Sequence, residues 1–136
     1  MRDSLRMATF IGVTRLAWWE ARQARLWFLL WQARRRNWCI LEAELRSVLV
    51  GYLRDVERWL PYVTRYVALV GDDRERRLLE RVKECGCSRM RLVLAGEDMI
   101  GQGDLFISGS VVGELLEVRR RVQRLCAALQ ERWAAV

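Results

Sequence analysis

WCILEAELRSVLVGYLRDVERWLPYVTRYVALV, residues Trp38 to Val70, decides how this chain is read. Its apolar positions fall at Trp38, Leu41, Leu45, Val48, Tyr52, Val56, Trp59, Val63, Val67 and Val70. Gaps of three and four bring side chains back to one side of an α-helix, so the spacing predicts a single long helix with one apolar face. At 1.5 Å per residue it extends about 50 Å. Asn37 is placed as its N-cap and Gly71 as its stop. Pro61, which has no backbone N–H, is expected to kink or end it.

Upstream, Thr14 to Arg36 reads as another helix carrying Leu16, Trp19, Trp27, Leu30 and Trp31, with Arg34-Arg35-Arg36-Asn37 read as a turn. Downstream, Asp72 and Asp73 stand where the helix dipole favours carboxylates and open a helix over Arg74 to Glu84, with Gly86 past its end. Ser88 is placed as the cap of a short extension through Met90 to Leu94. Gly96 to Gly109 is the least regular stretch, with four glycines, and two short strands (Arg91 to Leu94, Leu105 to Ser108) are the alternative to a loop there. The last helix is expected from Val111 to Trp133, with the stripe Leu115, Val118, Val122, Leu125, Leu129, Trp133 and with Arg120, Arg121, Arg124 and Arg132 opposite. The expected fold class is all-α: one domain over residues 1–136, an antiparallel four-helix bundle.

The charge is lopsided, with 24 Lys and Arg against 17 Asp and Glu, and Lys83 is the sole lysine. Guanidinium groups hold phosphates bidentately and stack on rings, which ammonium groups do poorly. An anionic partner is therefore expected, RNA or DNA ahead of a membrane surface. A composition bias that writes Arg for Lys accounts for the same numbers without any partner. The longest strongly apolar run, Leu26 to Ala33, falls far short of the roughly 20 residues of a membrane helix. With no secretory signal read at Met1 to Val13, the expected location is cytoplasmic, without a membrane.

Nothing in the sequence reads as catalytic machinery. There is no histidine, and no HExxH, GxSxG or P-loop pattern. Gly101-Gln102-Gly103 lacks the Gly-Lys-Ser/Thr of a phosphate loop and reads as a turn. Glu97, Asp98 and Asp104 flank it as a cluster able in principle to hold Mg²⁺, against the plainer reading of solvated carboxylates beside a glycine-rich turn. Cys85-Gly86-Cys87 is tighter than zinc sites use, and a four-cysteine site would need Cys39 and Cys126 to converge on that pair. Neither a metal nor a cofactor is expected.

Five of the seven tryptophans lie between Trp18 and Trp38, among six arginines from Arg15 to Arg36. Adjacent Trp18 and Trp19 point about 100° apart on a helix, so both are covered only if two surfaces are. Trp18, Trp19, Trp27 and Trp31 are the candidate interface residues, either between subunits or stacked on bases, against the plainer reading of a crowded core. Arg54, Arg58 and Arg65 share one side of the long helix, diluted by Glu42, Glu44, Asp55 and Glu57. Arg119, Arg120, Arg121 and Arg124 crowd the last helix with less acidic company and are the stronger candidates for phosphate contacts.

WCILEAELRSVLVGYLRDV (Trp38 to Val56) and IGQGDLFISGSVVGELLEV (Ile100 to Val118) resemble segments of the four-helix-bundle family that includes the accessory protein of diversity-generating retroelements and its ribosomal-RNA intervening-sequence relatives. The first is similar to that family's second helix in its aliphatic spacing, the second to its turn into a last helix, with the acidic residue at Glu114. Where that family often has Phe-Pro before the second helix, this chain has Arg35-Arg36-Asn37. The resemblance implies a ring-like, positively charged homo-oligomer that binds a reverse transcriptase and its RNA without catalysis. The helical small subunit of a CRISPR effector complex has the same size, class and charge. A purely structural homo-oligomer, its arginines solvating the surface, is the reading from a third class.

Overall fold

The computed structural model describes residues 2–95 and 103–135. Among the described residues the elements run α1 (Arg2–Arg22), α2 (Ala24–Ala33), β1 (Trp38–Leu41), α3 (Ala43–Val70), α4 (Asp73–Glu84), α5 (Cys87–Ala95), β2 (Leu105–Ser108) and α6 (Gly109–Ala134). The chain is mostly helical, as its periodicity predicts. Glu97, Asp98 and most of the Gly101–Gly103 turn lie outside the described residues.

The stretch from Trp38 corrects the expected helix start. Trp38–Leu41 is a strand paired antiparallel with Leu105–Ser108, with Cys39 opposite Ile107 and Ile40 opposite Phe106. Strand side chains alternate in direction. Cys39, Leu41 and Ile107 are buried, while Trp38, Ile40 and Phe106 stand on the outer face. The same Trp38/Leu41 spacing that fits a helical stripe fits this strand only through Leu41. Asn37 therefore caps nothing. The long helix begins at Ala43, whose N–H donates to Oδ1 of Asp104 at 3.0 Å. Asn37 instead accepts from the N–H of Gly109. A Cβ on Gly109 would lie 2.8 Å from the Arg36 carbonyl oxygen, so a side chain there would force the two segments apart.

Helix α3 runs through Pro61 to Val70, then leaves the helical conformation at Gly71 with φ −74° and ψ 153°. Its stripe is buried at Leu45, Tyr52, Val56, Trp59, Val63 and Val67. The first helix starts far upstream of Thr14, and the Met7 to Val13 run lies inside it. Leu16, Val13 and Thr9 form its buried side, with Leu5 packed against the core. It lies antiparallel along α3: a Cβ at Gly12 would fall 2.0 Å from the Trp59 ring, and Thr9 O accepts from Trp59 Nε1 at 3.1 Å. Further along, Trp19 reaches Gly51 and Asp55. Gln23 separates α1 from α2, and residues 34–37 form the expected turn.

Asp72 and Glu75 form a reciprocal capping box at α4, each side chain accepting from the other's backbone N–H. Arg91 to Leu94 is helical within α5, not a strand, and Ser88 lies inside that helix rather than before it. The α6 stripe is buried from Leu115 to Leu129, and Ser108 caps its start. Arg46 is buried, and its guanidinium donates to the carbonyls of Leu94 and Gly103, holding the end of α5 against α3.

Candidate nucleic-acid interface

The arginines divide into those the fold uses and those it leaves at the surface. Arg119 forms a two-pronged pair with Glu20, at 2.7 to 3.0 Å, and lies 4.7 Å over the Trp27 ring. Arg120 and Arg121 both bind Glu117, and Arg121 also donates to the Arg81 carbonyl at 2.8 Å. These bonds hold the Glu117 carboxyl down to about 2. The α6 run thus has more acidic company than its sequence suggests, because Glu20 and Glu84 arrive from other helices and Glu117 from the preceding turn. Three of the four α6 candidates are occupied by the fold. Arg124 is exposed.

On α3 the balance runs the other way. Asp55 accepts from Trp19 Nε1 at 2.7 Å, and Glu57 from Arg91 at 2.8 Å. Both acidic neighbours are turned toward other helices. Arg54, Arg58 and Arg65 are exposed, and no ion pair among the described residues includes them or Arg124.

The tryptophans divide similarly. Trp27 is 3% exposed, with its ring edge-on to Tyr52, so it is a core residue and is not available to a partner. Trp19 of α1 is half-buried against α3. Trp18 stands at 82° to it and is about half exposed, as two neighbouring indoles on one helix must be. Trp31 is exposed, stacked with Phe28 and covered on one side by Arg35, 5.1 Å from its centroid.

Two aromatic surfaces extend beyond the residues singled out in the sequence. Trp38 and Phe106 stack across the ribbon, with centroids 5.6 Å apart, and share its outer face with Ile40. The second is a trough between α1 and α3. Phe10, Ile11, Thr14, Trp18 and Trp19 line a groove of about 530 Å³ with Arg15 and Asp55. Ile11, Arg15 and Asp55 continue into a smaller hollow of about 230 Å³ that reaches Arg58 and Tyr62. The spacing of Met7, Ile11 and Trp18 signals a second apolar side of α1, legible once the helix is known to start before Thr14.

Among the described residues no three acidic or thiol groups are gathered as a metal site, and no helix is long and apolar enough to cross a membrane. Burial pushes the thiols of Cys87 and Cys126 up to about 12, which removes them as nucleophiles near neutral pH. Compared with protein-family models, curated proteins and solved structures, the chain matches none.

Proposed function

We propose that this chain is a non-catalytic, positively charged accessory subunit that binds nucleic acid, docks a separate nucleic-acid enzyme and assembles with copies of itself. The observation that carries the first part is the stripe Arg54, Arg58, Arg65 on α3, exposed and outside every ion pair among the described residues. Phosphate backbones are bound by several such cations in a row, because affinity grows with the number of phosphates neutralised. Self-assembly is supported by the exposed apolar outer face of the ribbon, Trp38, Ile40 and Phe106. A ring of four-helix bundles around a reverse transcriptase, in the cytoplasm, is the particular form that the family resemblance implies.

The test is binding to RNA and DNA as a function of salt. Changing Arg54, Arg58 and Arg65 to Gln should flatten the log–log salt slope on a single strand by about 0.7 for each phosphate that is no longer neutralised. Changing Arg120 and Arg121 should flatten it less. Equal binding by the α3 variant at every salt concentration sinks the reading. Light scattering of a Phe106→Ser variant checks assembly, and a nuclease-resistant pull-down checks the enzyme partner.

A further inference from the structure

We infer that the trough between α1 and α3 is a base-stacking site for single-stranded nucleic acid. This rests on the proposed nucleic-acid function and specifies where, and in what form, the polymer binds. Two aromatic rings stand along the trough with about half their surface in water, Trp18 on α1 and Tyr62 on α3. Phe10 lines the same groove as Trp18 but has its ring edge-on to Trp133 of α6, 5.4 Å away. Every base presents a π-face, so exposed rings in series hold unpaired bases with little regard to sequence.

Charge selects this occupant. Arg15 lines the trough from α1, and Arg58 lines it from α3 between Asp55 and Tyr62, flanked one turn away by exposed Arg54 and two turns away by exposed Arg65. Among the described residues Asp55 is the one carboxylate lining the trough; Trp19 Nε1 donates to it at 2.7 Å and Arg15 pairs with it at 3.9 Å, which leaves Arg58 as the unpaired cation there. A second copy of this chain would bring arginines onto arginines, whereas a polyphosphate brings the complementary sign. In a duplex the base faces are hidden by their neighbours, so the trough requires an unpaired strand.

The experiment is fluorescence anisotropy of the whole chain with a short labelled oligothymidylate and with the same strand in a duplex, across a salt series. Tryptophan emission is recorded alongside. Single strand should be preferred and should quench the indole signal. Trp18→Ala should weaken single-strand binding about tenfold without moving the salt slope, because stacking releases no counterions. Trp18→Phe should recover most of the loss, and Arg58→Gln should flatten the slope instead. Circular dichroism keeps the comparison among folded variants. Equal affinity for duplex and single strand, with Trp18→Ala binding like the parent, overturns the trough site while the nucleic-acid function stands. So does a Trp18→Ala variant that loses self-association or capture of an acidic protein segment but keeps its affinity. No binding of either form at low salt removes the function itself.

Discussion

Arg132 of α6 grips the carboxylate of Glu75 on α4 through Nε and one terminal nitrogen, at 2.6 to 3.0 Å, and Glu75 is 2% exposed. The same carboxylate accepts the backbone N–H of Asp72 at 2.9 Å. One buried anion therefore completes a helix cap and ties that helix to the C-terminal one.

Removing the cation would strand the anion. Arg132→Ala should destabilise the fold by about 3 kcal/mol, the scale for a buried charge that loses its partner. Arg132→Lys should recover part of this, since it restores charge but not the planar fork. Urea denaturation of the three proteins measures it, and an Arg132→Ala midpoint equal to the parent's contradicts the account.

Two helical glycines should respond in opposite directions to alanine. At Gly12 a Cβ would sit 2.0 Å from the Trp59 ring, with the helices pressed together there. Gly12→Ala should cost about 2 kcal/mol or more through overpacking. At Gly113 a Cβ meets nothing within 4 Å among the described residues. Gly113→Ala should stabilise α6 by about 0.5 to 1 kcal/mol through backbone entropy and helix propensity. Thermal melts of the pair give both signs in one experiment.

The hydroxyl of Tyr52 and the Nε1 of Trp27 are buried with no hydrogen-bond partner among the described residues. A polar group left unsatisfied in the core costs its desolvation. Tyr52→Phe keeps the ring and deletes the hydroxyl, so it should raise stability by about 1 kcal/mol. A loss of stability in the same denaturation assay would show that the hydroxyl is bonded in solution.

Acid should release the clamp on α6. Hydrogen bonds from Arg120 and then Arg121 lower Glu117 from an ordinary 4.5 to about 2. A carboxyl depressed in the folded state contributes stability above its unfolded value and loses it as pH falls through the folded one. The stability gap between the parent and Glu117→Gln should thus be constant above pH 4.5 and close towards pH 2. The carboxylate is about one-third exposed, so solvent screens the gap. Denaturation across that pH range reads the closure, and a carbon-detected titration of the Glu117 carboxyl gives its midpoint directly.

Helix existence was legible wherever an apolar stripe ran for several turns: Leu45 to Val67 on α3 and Leu115 to Leu129 on α6. The capping chemistry of Asp72 was legible too, because a cap is local. The ribbon was not. Trp38–Leu41 is short, and its partner lies far down the chain, so no window of sequence contains the pairing that makes it a strand. The candidate site inverted for a related reason. Along the sequence, acidic neighbours dilute Arg54 and Arg58, yet Asp55 and Glu57 turn to Trp19 and Arg91 across helix boundaries. Arg119 reads as sparsely accompanied, yet Glu20 reaches it from α1. Charge pairing between helices is set by packing, and periodicity carries no record of it.

The pairing of Cys39 with Ile107 closes a loop of about 70 residues. Loop closure of that length carries an entropic cost that four-residue strands cannot offset alone. The ribbon must therefore form after α3, α5 and α6 have docked, and it acts as a late latch on helices that are already placed. Folding should accordingly be slower than in a helical protein built from local pairings, since long-range pairing raises contact order. The amides of β1 and β2 should exchange with deuterium before those of α3 and α6, because a clasp closed last is the first to open.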